Sequence, residues 1–582
     1  LTNNSILRGF GTLGGSGGIM NTGVIKQENG TLVLANTGTN VNSGGAEIHL
    51  EEGRLLQLSG NGFYNSGFVR LNGATISGTG QIVNNPEGTI VGHGTINSNI
   101  NSNGTIIIDD GMLKINPSFT NVGIVELTSD TAQLSSPNFL TNVSGATIQG
   151  HGKITASIIN HGTIEAIGGT LNIINPVTKN AGSTIAVTSG NKILFTGNAG
   201  ANNGTISMAG GTIEFGGGNG LTNGTGGMIV GYGTFRTNSL NNNALISFSG
   251  GSTMLNAPTS NSGTLSVSGA QMTVTGALTN TSGGKIIVTG NSTATFNSAL
   301  ALNSGSEFRI TAGSSAIFLG NVTGSGTFTS SGTKYFEAGN SVITNLVSPG
   351  STVVDGAAKL TAAKVNEKSL TVAGRMTVNT VASGGSTMRL DTLSMVPGGV
   401  LDLNDNDIIV EHGNYQQISD ARWQGYRDST DTTAVGIIST VGQTLVGHPI
   451  LAVLDNALLG TSDWPFGSGQ TVGSSAVLGQ FAYLGDADLN GMVTPDDYLA
   501  VDSNLGKTVS MAGGMNWFAG DWNFDGQVTP DDYIAIDANL GLGASNPLSA
   551  NGLAAVPEPV GMGLAMVSLA GGMLSRRGRR GR

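Results

Sequence analysis

The chain of 582 residues has no cysteine, few aromatic residues and few charges. Without cysteine it has no disulfide framework, no zinc–thiolate site and no thiol nucleophile. Aromatic residues make up 5% and charged residues 10%, which argues against an average enzyme domain. The formal net charge of −11 argues against nucleic acid or an anionic membrane surface as the main partner.

Glycine, in contrast, is abundant, with 94 residues, and it recurs in a pattern. An apolar residue, a Gly-x-Gly turn and a second apolar residue repeat through the first 400 residues. The glycine pairs are Gly9 and Gly11, Gly78 and Gly80, Gly92 and Gly94, Gly150 and Gly152, Gly231 and Gly233, and Gly324 and Gly326. A second cue, Asn followed closely by Gly, lies among short runs rich in β-branched residues. The alternation predicts short strands separated by glycine and asparagine turns.

A stacked coil accounts for this repetition better than a closed sandwich. Three short strands and their turns would make a repeat of roughly 20 residues. We expect Ile, Leu and Val to point inward and asparagines of successive turns to stack as an internal ladder. The pattern resembles autotransporter-passenger and adhesin-type repeats, and it predicts a mainly β chain with a right-handed parallel β-helix over residues 1–400. A disordered Gly/Ser/Asn linker is the alternative, which the periodic Ile and Leu disfavour.

A second region begins near residue 400. All four tryptophans follow this point: Trp423, Trp464, Trp517 and Trp522. We predict terminal turns and a cap over residues 401–482, with a helix and then a strand in the sequence that starts at Tyr415. The exposed strand edges at the end of a stack need such a cap.

Two stretches concentrate carboxylates. The first loop is DADLNGMVTPDD, Asp486–Asp497, and the second loop is DWNFDGQVTPDD, Asp521–Asp532, 35 residues later. Each has the spacing of oxygen groups, with Gly at position 6, that surrounds a calcium ion. The predicted ligands of two Ca²⁺ ions are Asp486, Asp488, Asn490, the carbonyl of Met492, Thr494 and Asp497, and then Asp521, Asn523, Asp525, the carbonyl of Gln527, Thr529 and Asp532. A pair of metal-free acidic turns is the alternative, which the two glycines disfavour.

A helix is predicted after each loop. Thr494 would cap the first helix, Pro495 would begin it and Gly506 would end it. The segments before the loops are too short for a preceding helix. Three positions recur on one face of each helix, so we expect the two helices to pack together. These positions are Tyr498, Val501 and Leu505, and Tyr533, Ile536 and Leu540.

The helix that follows each loop, with Asp instead of Glu at position 12, resembles the type I dockerin module. The resemblance covers residues 483–545 and implies an all-α pair of calcium F-hands. Dockerins of cellulosomal enzymes carry small hydroxyl residues at positions 10 and 11 as contacts to cohesin. Those positions here are Pro495 and Asp496, and Pro530 and Asp531. A calcium-dependent docking module is therefore implied, while its partner, cohesin-like or another protein, stays open.

The C-terminal sequence joins a linker, residues 546–559, to an apolar segment with an Arg-rich end, residues 560–582. The linker ends in Pro557, Glu558 and Pro559. This layout resembles the PEP-CTERM sorting signal, which implies cleavage by an exosortase-type enzyme and transient insertion of the apolar helix in the inner membrane. A weak C-terminal tail anchor is the alternative. The first residue is Leu, and we expect an N-terminal signal peptide to precede this sequence.

The first 400 residues also hold acids and histidines that could serve catalysis: Asp109, Asp110, Glu165, Glu214, His93, His151 and His161. No pair recurs at a spacing suited to acid–base work. Together with the tail and the loops, the chain resembles planctomycete-type surface proteins. We expect a secreted or cell-surface, non-catalytic structural or adhesive protein. The alternative is an extracellular β-helix that binds or degrades polysaccharide, as a hydrolase or lyase, and is targeted by its dockerin.

Overall fold

The structure is a computed structural model that describes residues 1–198, 200–380, 386–427, 434–545 and 547–548. The chain divides into two compact units, Leu1–Ala316 and Ile317–Arg582. The fold is mainly β and contains a parallel β-solenoid of about 20 turns, which confirms the predicted parallel β-helix. The domain boundaries that the sequence suggests at residues 400, 482, 545 and 559 stay predictions.

The first unit consists of short strands, some of which continue around a corner as one longer strand. These strands are Thr2–Asn3, Ile6–Gly15, Met20–Asn21, Val24–Asn36, Asn40–Asn42, Glu47–Leu50, Leu55–Leu58, Phe63–Asn65, Phe68–Gly78, Ile82–Asn84, Thr89–Ile96, Ile100–Ser102, Thr105–Ile108, Met112–Ile115, Phe119–Asn121, Ile124–Ser135, Phe139–Asn142, Thr147–Ile154, Ser157–Asn160, Thr163–Ile173, Val177–Lys179, Thr184–Thr188, Lys192–Phe195, Thr205–Phe215, Leu221–Asn223, Met228–Arg236, Leu240–Asn242, Leu245–Asn256, Thr259–Asn261, Thr264–Ser268, Gln271–Val274, Leu278–Asn280, Lys285–Thr289, Thr293–Phe296, Leu300–Leu302 and Glu307–Ile310. Strand Ser315–Phe318 crosses the division between the units.

Strands of successive turns pair in parallel and in register. In one column, Val69, Ile90 and Ile106 are direct neighbours, and all three are fully buried. The residues on either side of Ile90 in its strand are only half-buried, as expected when alternate side chains face opposite sides of a sheet. The Ile and Val columns therefore form the core of the solenoid.

A column of polar residues lies inside the same core. It runs through Asn3, Asn21, Asn42, Asn65, Asn84, Ser102, Asn121, Asn142, Asn160, Lys179, Asn202, Asn223, Asn242, Asn261 and Asn280, and every one of these residues is buried. Most consecutive members are joined by a side-chain hydrogen bond of 2.6–3.1 Å. The spacing along the chain is 18 to 23 residues. The structure thus confirms the predicted asparagine ladder and the repeat of roughly 20 residues.

The ladder has two interruptions. Ser102 accepts from Asn84 at 3.1 Å, but the side-chain oxygen of Asn121 on the next turn has no hydrogen-bond partner among the described residues. Lys179 occupies a position that is asparagine on most turns, and within the part of the chain that the structure describes Asn160 Nδ2 and Asn202 Oδ1 beside it have no hydrogen-bond partner. Buried polar atoms that lack partners lower the stability of a fold. The turn around Lys179 is therefore a weak point of the ladder.

Glycine is required where the backbones of neighbouring turns come close. Gly150 and Gly152 have φ angles of 109° and 128°, and the register to the next turn shifts between them. A Cβ on Gly150 would lie 1.8 Å from the carbonyl oxygen of Leu127, so no other residue fits. Gly78 and Gly324 instead end strands Phe68–Gly78 and Val322–Gly324. The Gly-x-Gly motif thus marks more than one kind of corner.

The second unit has parallel strands of its own and an antiparallel strand after them. Its strands are Val322–Gly324, Thr327–Ser330, Thr333–Val372, Arg375–Val378, Thr387–Met395, Val400–Asp402, Asp407–Val410, Gly436–Ile438, Ile450–Asp455 and Val477–Ala482. Strand Val477–Ala482 pairs antiparallel with both Asp407–Val410 and Ile450–Asp455. Strand Asp407–Val410 is thus covered by a strand that runs against the parallel stack.

Helices occur only after residue 414 among the described residues. We label the six α-helices α1 Tyr415–Arg427, α2 Thr440–Thr444, α3 Asn456–Leu459, α4 Tyr498–Asn504, α5 Asn516–Ala519 and α6 Tyr533–Asn539, and the 3₁₀ turns are Pro495–Asp497 and Ala512–Gly514. Helix α1 followed by strand Gly436–Ile438 agrees with the helix and strand predicted there. Within the described part of the chain, no helix is both long and apolar enough to cross a membrane. The predicted sorting element Pro557, Glu558 and Pro559 and the apolar segment 560–582 lie outside the described residues.

The interruption at Lys179 yields a test of the ladder. We expect Lys179→Asn to raise the free energy of unfolding by about 1–3 kcal/mol, because a new amide can bond to both Asn160 and Asn202. Removal of a buried ammonium acts in the same direction, since burial lowers the pKa of Lys179 to about 7. Thermal and urea unfolding followed by far-UV circular dichroism would measure the change.

The matched control is Lys285→Asn, which makes the same change at an exposed lysine of the same unit. The control should leave the unfolding midpoint within experimental error. Equal effects of the two substitutions, or destabilisation by Lys179→Asn, would contradict a stabilising role of the ladder.

Candidate metal centre

The first loop is closed by hydrogen bonds to its two outer carboxylates. Asp486, at position 1, is fully buried and accepts from the backbone N–H groups of Asn490 at 3.1 Å and Gly491 at 2.9 Å. Asp497, at position 12, accepts from the N–H group of Thr494 at 2.7 Å. The loop backbone therefore wraps around its own carboxylates, as in an oxygen-ligand ion loop.

The second loop repeats these contacts 35 residues further on. Asp521 accepts from the N–H groups of Asp525 at 3.1 Å and Gly526 at 3.0 Å. Asp532 accepts from the N–H group of Thr529 at 2.9 Å. The duplication in the sequence is thus a duplication of geometry.

The other predicted ligands lie inside the two loops and bond to neighbouring loop groups. In the first loop, hydrogen bonds of 2.9–3.3 Å join Asp488 to Asn490, Asn490 to Met492, and Thr494 to Asp497. In the second loop, hydrogen bonds of 2.8–2.9 Å join Asn523 to Asp525 and Asp525 to Gln527. The hydroxyl of Thr529 donates to Asp531. Thr494 also caps the 3₁₀ turn that begins at Pro495, as predicted, in a reciprocal capping box with Asp497.

Like charges are crowded in the first loop. Carboxylate oxygens of Asp486, Asp488 and Asp497 all lie within 4.8 Å of one another. Burial, followed by the charges of Asp497 and Asp488, holds the pKa of Asp486 well above its usual value. Burial likewise raises the pKa of Asp497 to about 6. This set of oxygen donors can hold a hard divalent cation. The positive charge of the ion would offset the repulsion between the carboxylates, and each oxygen could coordinate it.

The two loop–helix repeats are joined by reciprocal contacts. Val493 and Leu542 are linked by a backbone hydrogen bond of 3.0 Å, and Val528 and Lys507 by another of 3.0 Å. Val493 and Val528 are position 8 of the first and second loops. Leu542 follows helix α6 of the second repeat, and Lys507 follows helix α4 of the first repeat. The two repeats therefore form one folding unit.

Helices α4 and α6 pack together around buried Val501 and Ile536. Tyr498 and Tyr533 stack with ring centroids 6.0 Å apart, and each hydroxyl donates to an aspartate of the other helix. The predicted helix packing is therefore confirmed.

Two of the predicted face residues do not join this contact. Leu505 and Leu540 are 46% and 49% exposed, because each follows the last helical residue and its backbone has already left the helical conformation. The expectation that no helix precedes the loops also needs a correction. A single helical turn, α5, leads into the second loop, whereas strand Val477–Ala482 leads into the first.

The residues that attach the loops to the cap were not predicted from the sequence. Leu489 and Phe524 occupy position 4 of the two loops and have left-handed φ angles of 56° and 58°. Leu489 and Trp517 are buried in the hydrophobic cluster of Trp464, against which Phe524 also packs. Trp517 Nε1 donates to the backbone oxygen of Asp486 at 2.8 Å. An apolar residue at position 4 in both copies was the signal that could have revealed this contact.

Three of the candidate acids and histidines of the solenoid, His151, Glu214 and Asp110, bond to separate local partners. His151 Nδ1 lies 3.1 Å from the carbonyl oxygen of Ile167, and Glu214 pairs with Lys192 at 2.9 Å. Asp110 accepts from Thr131 at 2.7 Å, and this hydrogen bond is the main cause of its lowered pKa. These contacts each stabilise a local turn or strand pair.

The second unit holds a buried ion pair that the sequence did not suggest. Lys334 Nζ lies 2.7 Å from Glu367, and both side chains are almost fully buried. Ser348 donates to the same carboxylate at 2.8 Å, and Thr352 donates to its other oxygen. Because these hydrogen bonds compensate for the burial of the charges, the ion pair is suited to fix how the surrounding strands of this unit pack.

No model of a known protein family matches the chain, and no curated protein matches it.

The raised pKa of Asp497 predicts how pH affects this region in metal-free buffer. The folded state holds a proton that the unfolded chain releases above its usual pKa of 3.8. The stability from this carboxyl is therefore present below about pH 4 and is lost as the pH rises through about 6, a loss of about 1–2 kcal/mol once screening by solvent is allowed for. Unfolding followed by tryptophan fluorescence would report it, because all four tryptophans follow residue 400.

The control for this prediction is Asp497→Asn, which cannot lose a proton. Buried Asp407 in the cap has its pKa raised to about 7 and contributes the same trend to both proteins. The difference between wild type and variant therefore reports the titration of Asp497 together with its charge coupling to Asp486. An identical pH dependence of the two proteins would contradict the prediction.

Proposed function

We propose that the chain is a secreted or cell-surface, non-catalytic structural or adhesive protein whose C-terminal part binds two calcium ions. The observation that carries the proposal is the pair of loops with matching hydrogen bonds, 35 residues apart, around inward-facing carboxylates. Repeated oxygen donors at these positions suit calcium, which takes six to eight oxygen ligands in a flexible arrangement.

The proposed ligands are those that the sequence suggested in the two loops. A cation would relieve the repulsion in the first loop, where three carboxylates lie within 4.8 Å. Ion binding would also favour the left-handed backbone of Leu489 and Phe524, because those residues lie between ligands 3 and 5. Calcium would thereby stabilise the attachment of the loops to the cap as well as the loops themselves.

The finer fold assignments belong to the same proposal. They are a right-handed solenoid, a dockerin-like pair of F-hands at residues 483–545 and a hydrophobic sorting helix at residues 560–582. The reciprocal packing of α4 and α6 supports the paired F-hands. The proposed partner is a protein that docks on this module, cohesin-like or of another kind.

Calcium binding can be tested on the full chain. Calorimetry should detect two bound ions, and calcium should raise the melting temperature reported by tryptophan fluorescence relative to chelator. At a free calcium concentration of 1,000 times Kd the free energy of unfolding would rise by about 4 kcal/mol for each site. Asp497→Ala and Asp532→Ala should each weaken one site at least about tenfold, since each removes the position-12 ligand.

The control for these variants is Asp130→Ala, which removes an exposed aspartate of the solenoid. It should leave both sites intact. A titration with no bound ion, or equal melting temperatures in calcium and chelator, would leave the metal-free acidic turns as the correct interpretation.

The proposed location follows from the C-terminal sequence. Export, cleavage near the Pro-Glu-Pro element by an exosortase-type enzyme and release from the inner membrane would place the protein in the outer envelope or outside the cell. Replacing Pro557, Glu558 and Pro559 with Ala should leave the unprocessed chain at the inner membrane. Mass spectrometry of surface material that shows the same mature C-terminus in wild type and variant would contradict this proposal.

A further inference from the structure

A cavity of about 170 Å³ lies between helix α1 of the cap and the second loop. Its volume is similar to that of a protein cavity of about 150 Å³ that holds one six-membered ring. Aromatic rings of Tyr415, Trp423, Trp517 and Phe524 line it, together with polar groups on α1. The cavity is thus a small, ring-sized space with aromatic walls.

The basic group of this cavity is Arg422. Its side chain is buried, with only 4% of the residue exposed, and its guanidinium lies 3.9 Å from the ring centre of Trp423 and 5.3 Å from that of Phe524. Among the described residues, neither Nε nor Nη1 has a hydrogen-bond partner. Burial lowers the pKa of Arg422 to about 10, so the group stays charged at neutral pH.

A buried guanidinium whose Nε and Nη1 lack acceptors among the described residues is costly, and a carboxylate is the anionic acceptor that suits arginine. We propose that this cavity binds a carboxylate-bearing sugar ring, such as a uronic acid of an acidic polysaccharide. The carboxylate would pair with Arg422, and the C–H face of the sugar ring would stack on the aromatic walls.

The polar rim of the cavity fits sugar hydroxyls. Gln416 and Asp420 are exposed on α1, and Gln416 Nε2 donates to Asp420 at 2.7 Å. These groups offer both donors and acceptors at the mouth. The carboxylate of Asp420 also repels an anionic ligand, so its charge should limit the affinity.

Calcium should control this site, an inference that rests on the proposed function. Phe524 belongs to the second loop, and Asn516 of the cavity wall donates to the carboxylate of Asp521 at 3.3 Å. A loop that is ordered by an ion would hold this wall in place. Removal of the ion should therefore weaken sugar binding.

The experiment is isothermal titration of the full chain in calcium with trigalacturonic acid and with its methyl ester. The acid should bind at least about tenfold more tightly than the ester, because only the acid can pair with the guanidinium. Arg422→Met should weaken binding of the acid by at least about tenfold, while Arg54→Met, at an exposed arginine of the solenoid, should leave it unchanged. Asp420→Asn should tighten it several-fold.

Each alternative result overturns the proposal. Equal binding of acid and ester, no binding of either, or binding that Arg422→Met leaves unchanged would contradict a carboxylate site. Preference for a short peptide with a free C-terminal carboxylate over the sugar would assign the cavity to a protein partner. If Arg422→Met fails to fold by its tryptophan emission, the ester comparison and Asp420→Asn still decide.

The calcium dependence is tested separately with the same ligand in chelator. Binding of the acid should fall at least about tenfold there. Unchanged, Arg422-dependent binding in chelator would overturn the calcium control. Two bound calcium ions without sugar binding would overturn the cavity proposal and leave the calcium loops standing.

Discussion

Hydrogen bonding of buried amides is the constraint on which the solenoid depends. Each ladder asparagine offers one oxygen and one NH₂ group, so it can accept from the turn on one side and donate to the turn on the other. Asn223 does both, at 2.8 Å to Asn202 and 2.8 Å to Asn242. It also donates to the carbonyl oxygen of Leu245 at 3.1 Å. A slip of one residue would expose the amide and break these bonds, so the ladder fixes the register that the apolar columns then fill.

Hydrogen bonding of buried polar groups also explains which residues fill the interior after the asparagine ladder ends. The column ends at Asn280, because the equivalent position on the next turn is Leu302. In the second unit the buried polar groups are instead the ion pair of Lys334 and Glu367, with hydroxyls that complete its hydrogen bonds. The backbone N–H and C=O groups of strand Asp407–Val410 pair with the antiparallel strand Val477–Ala482. That strand protects an edge that would otherwise pair with another chain.

Much of this fold could be predicted because its rules are local. The Asn-Gly cue marks the corner at which the ladder residue ends one strand, as Asn160 and Gly162 show. Gly162 is needed there, since a Cβ would lie 2.2 Å from the carbonyl oxygen of Ala146. The two oxygen loops could likewise be found from spacing alone. What could not be predicted depends on tertiary neighbours: the exposure of Leu505, the burial of Leu489 and the burial of Arg422 with two nitrogens that lack acceptors among the described residues.

The shared residues at position 4 tie the two oxygen loops to the end of the solenoid. Leu489 packs in the same cluster as Ile409 of strand Asp407–Val410, and Gln480 Nε2 in the covering strand donates to the carbonyl oxygen of Leu489 at 2.7 Å. The first loop begins four residues after that strand ends. A cation that held this loop would therefore act on the strand that covers the edge. Calcium bound in this way would be a structural part of the cap, and the same core that closes the solenoid would support a partner docked at the loops.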